Sequence, residues 1–213
     1  MTRKDPIILM ADIIDSRKSD QNALMRTFKR LTEDVNKRNK RWLRSPITIT
    51  LGDEFQCVVK NTSKAISIIL QLEERLIVEN AGFKLRYVVY QGPIDTPINE
   101  EIAYGMLGEG LTKAREALES SKATNSRYAI HIHKQEAAAA LTASMSIYQN
   151  ITDDWKLEKD HALICKFLDL KDYKQVAEAL GKTRSQIWKR HKNLKIEPYF
   201  AIKQVTQYIA DQV

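Results

Sequence analysis

The sequence predicts an α+β fold, in which a ferredoxin-like antiparallel sheet covered by helices is followed by a small all-α helix-turn-helix domain. Three observations predict it. The first ninety residues alternate strand and helix patterns in the order β-α-β-β-α-β, the split βαβ arrangement. Beyond residue 153 no strand pattern remains. Within that last part, two short helical segments flank a glycine at helix-turn-helix spacing.

The elements follow in order. Ile7-Ile8-Leu9-Met10-Ala11, ending at Asp12, is apolar at nearly every position, as in a strand buried on both faces. Residues 20–39 carry Leu24, Phe28, Leu31 and Val35 at helical spacing. Strands are predicted at 47–51 and 55–59, joined by a tight hairpin through Gly52-Asp53-Glu54. Asn61, Thr62 and Ser63 offer caps for a helix reaching residue 79. A fourth strand covers 85–90, and 93–105 reads as a loop. A helix at 110–122, a strand at 127–133 and a helix at 135–148 complete a first domain, residues 1–150. Helices at 155–168, 173–180, 184–194 and 198–209 make up a second, residues 151–213.

Composition narrows the function classes. A formal charge of +7 suits a polyanionic partner, nucleic acid or nucleoside phosphate, or else a basic solvated surface. Cys57 and Cys165 fit no metal spacing and read as free thiols in a reducing compartment. No apolar run is long enough for a signal peptide or a membrane span, so no membrane partner is expected and a cytoplasmic location is. P-loop, dinucleotide and Ser-His-Asp patterns are absent.

The predicted topology makes the first and third strands antiparallel neighbours. Asp12, ending the first, then meets Asp53, in the hairpin leading into the third. Two carboxylates held together repel unless a cation or a proton is shared. Mg²⁺ (or Mn²⁺) suits such a pair, because it prefers oxygen ligands and bridges carboxylates to phosphates. The plainer alternative is a helix-capping Asp12 and a turn-forming Asp53.

Asp12-Ile13-Ile14-Asp15-Ser16-Arg17 resembles the first metal-binding segment of class III nucleotidyl cyclases, and Leu51-Gly52-Asp53-Glu54-Phe55 resembles their Gly-Asp hairpin. The second segment also matches the Gly-Gly-Asp-Glu-Phe signature of diguanylate cyclases in all but its first residue. Both families use a palm-like version of this fold. The resemblance implies metal ligation by Asp12, Asp53 and the backbone carbonyl of Ile13. Arg17 and Arg115 are candidate phosphate contacts, and Ser16 and Gly52 are further candidates for nucleotide binding. Where cyclases carry an Asn and an Arg four residues apart on a later helix, Thr112 and Glu116 stand here. Glu116 cannot stabilise a developing negative phosphate as arginine does. Arg115 is next to it, but helical geometry turns it to another face. Over most of its length the chain is similar to the SatD family of bacterial proteins. The segments that carry this are residues 12–18 and 51–55, Lys113-Ala114-Arg115-Glu116-Ala117-Leu118-Glu119, and the C-terminal module.

In that module Ala177 is small where two helices cross, Gly181 permits a left-handed turn, Thr183 caps the second helix and Ile187 points inward. The second helix would read DNA. Lys182, Arg184, Ser185, Gln186, Lys189 and Arg190 are the candidate contacts. The alternative is a dimerisation module with a basic solvated face. The main expectation is a DNA-binding regulator whose palm-like domain binds Mg²⁺ and a nucleotide and which pairs as a homodimer. The rival is a metal-dependent nucleotidyl cyclase or oligonucleotide synthase; no catalytic residue is assigned. Two lesser signals remain. One is the basic run Lys37-Arg38-Asn39-Lys40-Arg41-Trp42-Leu43-Arg44. The other is His131 with His133, predicted to share one face of a strand.

Overall fold

Strand β1 (Ile7–Ile13) is buried along its whole length, and its alternating side chains divide the molecule into two layers. The computed structural model describes residues 5–16 and 20–213. Ile7, Leu9, Ala11 and Ile13 face one large core. Ile8 and Met10 face a smaller one with Val88, Ala114 and Leu118.

Helix α1 (Gln21–Asn39) starts at Asp20, whose carboxylate accepts from the N–H groups of Asn22 and Ala23. Its buried stripe holds the expected Leu24, Phe28, Leu31 and Val35. A 3-10 turn, Lys40–Trp42, leads into β2 (Leu43–Ile49). This strand begins earlier than the expected residue 47. Pro46 is tolerated because β2 is the sheet edge, and the pairing with β3 (Glu54–Val59) slips on either side of it. Helix α2 (Thr62–Val78) is capped by Asn61. Strand β4 (Leu85–Gln91), helix α3 (Glu109–Ser121) and strand β5 (Tyr128–His131) follow.

The five strands lie in the order β2-β3-β1-β4-β5. β1 is antiparallel to both β3 and β4, and β5 runs parallel to β4, so the sheet is mixed rather than wholly antiparallel. β5 stops at His131. His133 therefore lies past the strand, where its Nε2 sits 2.8 Å from Asp5. The backbones of β4 and α3 meet without side chains between them. A Cβ on Gly110 would lie 2.6 Å from the carbonyl carbon of Gly92, and Gly110 N–H donates to Pro93 O at 2.9 Å.

Helix α4 (Gln135–Asp153) packs against β5, and helices α5 (Leu157–Leu170), α6 (Tyr173–Ala179), α7 (Arg184–Asn193) and α8 (Ile196–Asp211) follow. α8 lies against both α4 and α2. Buried Ile164, Phe167, Ile187 and Tyr199 belong to the same core as Leu9 and Ile66. Trp155 Nε1 ties α8's approach to the end of α4 by donating to Leu194 O at 2.8 Å. The expected division at residue 150 falls inside α4. Among the described residues no helix is long and apolar enough to cross a membrane.

Candidate functional site

The ends of β1, β3 and β4 converge on one cluster of charges. Across the sheet, Asp12 stands opposite Glu54 on β3 and opposite Arg86 on β4. In-register residues share a face, so the three side chains gather on the α3 side. Asp12 is only 4% exposed. Its two carboxylate oxygens accept from a single Arg86 nitrogen, Nη1, at 2.9 and 3.1 Å. α3 adds two cations. Arg115 Nη1 meets Glu54 at 2.9 Å, and Lys122 Nζ lies 3.8 Å from Asp12 and 3.7 Å from Glu54.

Burial pushes the Asp12 carboxyl above its ordinary value, and Glu54 and Asp53 push the same way. Arg86 and Lys122 pull it down without overcoming the loss of water. Lys122 is itself held above its ordinary value, first by its hydrogen bond with Glu119.

The hairpin brings Asp53 to the same strand end. Ile13 N–H donates to Asp53 O at 2.9 Å, and Ser16 Oγ donates to the Asp53 carboxylate at 2.6 Å. Gly52 has φ +77°, the left-handed geometry the turn needs. The topology thus puts Asp12, Ile13, Ser16, Gly52 and Asp53 together, as expected. Arg17 lies outside the described residues. Arg115 does reach the cluster: it shares a cleft of about 770 Å³ with Thr112 and Glu116, instead of turning to another face. Exposed Leu51, Tyr104 and Leu107 border that cleft.

Arg86, Glu54 and Lys122 were not singled out from sequence. A signal existed for Arg86: a lone cation inside the apolar run 85–90, in register with a lone acid in another, marks a buried pair. Glu54 was absorbed into the turn and Lys122 into the helix end.

The donors fit a divalent ion that keeps most of its water. Among the described residues, no three His, Cys, Asp or Glu side chains gather to hold a metal by themselves. Mg²⁺ requires only one or two carboxylates, the rest of its shell being water and phosphate oxygen. Each Asp12 oxygen takes one hydrogen bond from Arg86 and retains a second acceptor direction.

Comparison with known proteins places the chain in a family. The model of the SatD family matches residues 6–209. The chain belongs to the SatD family. Several solved structures are distantly similar to this SatD-family protein. One is a bacterial light-regulated adenylyl cyclase: 12% identity, 60% of this chain and 75% of that one covered, TM-score 0.43. Another is the guanylyl cyclase domain of the RhoGC fusion protein from the aquatic fungus Blastocladiella emersonii: 15% identity, 55% and 75% covered, TM-score 0.39. A third is the catalytic core of a rhodopsin-guanylyl cyclase with converted specificity in complex with ATPalphaS: 16% identity, 56% and 76% covered, TM-score 0.38. Comparison with curated proteins returns no significant match.

The second expected site lies on α6 and α7. Gly181 has φ +60° in the turn between them, Ala177 and Ile187 are buried, and Thr183 caps α7 in a reciprocal box with Gln186. Lys182, Arg184, Ser185 and Lys189 are exposed, as is Trp188 at 46%. Two of the expected contacts are committed internally. The Gln186 side chain serves the cap, and Arg190 pairs with Asp160 on α5.

Proposed function

We propose that this SatD-family protein binds a nucleoside triphosphate with Mg²⁺ or Mn²⁺ at the joined ends of β1 and β3. There it forms a phosphodiester and releases pyrophosphate. The observation that carries the reading is the meeting of Asp12 and Asp53 at one strand end, beneath Arg115 and Lys122 and beside an open cleft. When bound, the divalent ion supplies neutralisation of the polyphosphate and acidifies the attacking hydroxyl. Asp12, Asp53 and the Ile13 carbonyl are its proposed ligands.

The chain's own groups do the remaining work. Arg86 fixes the Asp12 carboxylate. Arg115, with its side chain 45% exposed, exchanges Glu54 for a phosphate oxygen, and Lys122 is the second phosphate contact. Ser16 and Gly52 shape the turn that the phosphates approach. A hydroxyl oxygen bonds to the α-phosphorus as the α–β phosphoanhydride breaks, and its proton leaves to solvent. Thr112 and Glu116 stand in the cleft without supplying an arginine; Arg115 takes that role. The same reading makes the protein a homodimer, with exposed Leu51, Tyr104 and Leu107 beside the cleft as the partner surface.

Incubation of pure protein with each NTP and Mg²⁺ or Mn²⁺ tests this. Pyrophosphate release and a nucleotide-dependent rise in Tm are expected, both lost in Asp53→Asn. No rise with any NTP in either metal would overturn it.

One observation favours a second activity. α7 is firmly capped and buries Ile187, yet turns Arg184, Ser185, Trp188 and Lys189 to solvent. Those residue types suit base edges and phosphates of duplex DNA, and nucleotide occupancy of the first site would bias that contact. Salt-sensitive duplex binding that weakens in Arg184→Ala/Lys189→Ala is expected. Binding indifferent to both salt and these changes would exclude it.

A further inference from the structure

The opposite end of the sheet carries a second charged surface that neither proposed activity uses. Lys37, Lys40 and Arg41 come from the end of α1, Arg44 from β2, Lys60 from the end of β3, and Lys64 from the first turn of α2. Trp42 joins several of them. Its carbonyl accepts from Lys60 N–H at 2.9 Å, Lys64 Nζ lies 4.6 Å from its ring centre, and the Arg41 guanidinium lies at 5.5 Å. Arg44 and Lys60 then share a broad cavity with Lys134.

None of the six cations forms an ion pair among the described residues, although Arg38, one residue from Lys37, pairs with Asp34. The carboxylates beside them take their hydrogen bonds elsewhere: Asp211, which feels the charge of Lys64 at longer range, accepts from Ser63 and Gln207, and Asp5 from His133. The other 28 lysines and arginines nearly balance the 27 acids, so these six account for almost all of the +7 charge.

A helix dipole explains part of this cluster and contradicts the rest. Cations at the C-terminal end of α1 are favoured there. Lys60 and Lys64 flank the N-terminal end of α2, where the dipole disfavours positive charge. Folding therefore holds together six like charges, two of them against a local field, with no directly paired anion among the described residues. A polyanion removes both costs.

We infer that this surface binds the phosphodiester backbone of a nucleic acid. A lipid surface fits less well, because membrane-bound basic patches add exposed apolar side chains that insert. Trp42 is half-buried, and the large exposed apolar side chains lie on other elements. The surface is separate from the Asp12 cluster. Ile7 pairs with Val59 at this end, and Asp12 lies five residues along the strand, roughly 17 Å away. It is also separate from α7, whose Arg190 pairs with Asp160 on α5 beside His161, and His161 Nε2 donates to Ile77 O at the other end of α2.

The experiment uses the full chain, labelled single-stranded and duplex oligonucleotides, and phosphatidylserine vesicles, over a range of salt. The variant Lys40→Gln/Arg44→Gln/Lys60→Gln/Lys64→Gln should lose about tenfold or more in affinity at low salt. Its salt slope should flatten by roughly 0.9 for each duplex phosphate contact removed. Arg184→Ala/Lys189→Ala separates this surface from α7, since the two losses should add. Because Lys64 and Arg41 touch Trp42, a second variant, Lys37→Gln/Lys40→Gln, changes only exposed side chains away from that ring and should weaken binding in the same direction with unchanged Tm. Unaltered affinity and slope in both variants would overturn the inference. So would binding to the vesicles with none to either oligonucleotide.

Discussion

Arg86 reaches across from β4 and holds both carboxylate oxygens of Asp12 with one guanidinium nitrogen, inside a surface almost closed to water. Removing one member strands the other. Arg86→Met should lower unfolding stability by about 3–5 kcal/mol. The double change Asp12→Leu/Arg86→Met should recover much of that loss, because two apolar groups leave no buried charge. Urea unfolding of the three chains checks this. Equal losses in the single and double variants would show that the pair does not behave as a unit.

The contact between Gly92 and Gly110 sets where α3 sits over β1 and β4. Ala at 110 drives a methyl against the Gly92 backbone, which cannot yield as a flexible side chain would. Gly110→Ala should cost about 1–3 kcal/mol by overpacking. It should also displace Arg115 and Lys122 from the charge cluster. Thermal unfolding and hydrogen exchange of α3 measure the two effects; an unchanged Tm would contradict the first.

His191 packs edge-on to Phe167 at 5.4 Å between centroids. Burial lowers its pKa from the ordinary 6.5, and Lys192 adds to the fall, against the opposing pull of Glu197 and Asp172. Such a histidine takes its proton more readily when unfolded. The stability it contributes is therefore complete above pH 6.5 and is lost as pH falls toward its folded value. The α6–α7 region should loosen over that range. Trp188 fluorescence during an acid titration should follow the change, and His191→Phe should flatten it.

The two thiols should separate kinetically. Burial pushes the Cys57 thiol far up, on a strand with no path to solvent, whereas Cys165 is raised less and half-buried on α5. Thiolate is the reactive form. Iodoacetamide at mildly alkaline pH should modify Cys165 first, and Cys57 only at the rate of unfolding. Mass spectrometry of timed samples reads this directly.

Most strands and helices could be read because their side chains obey one period. Leu24, Phe28, Leu31 and Val35 announce α1, and the unbroken apolar run of β1 announces burial on both faces. β2 was harder. Pro46 and the polar neighbours of an edge strand hide the period, so its start at Leu43 was missed. At the candidate site, the convergence of Asp12 and Asp53 followed from topology. Arg86 stands out as a lone cation in an apolar run, but naming Asp12 as its partner required strand register, which no local pattern states. The contact of Tyr148 with Tyr199, at 5.5 Å between ring centroids, is also invisible locally. Contacts of that kind join the C-terminal helices to the first core, near the domain boundary expected at residues 150–154.

Helix α8 covers faces of α2 and α4 that are synthesised long before it. A chain emerging from the ribosome therefore carries Ser63, Ser67, Glu74 and Tyr148 without their partners on α8 until residues 196–211 follow. During that interval those faces stand open to other apolar surfaces. Closure of this fold waits on contacts between segments 125 to 148 residues apart in sequence.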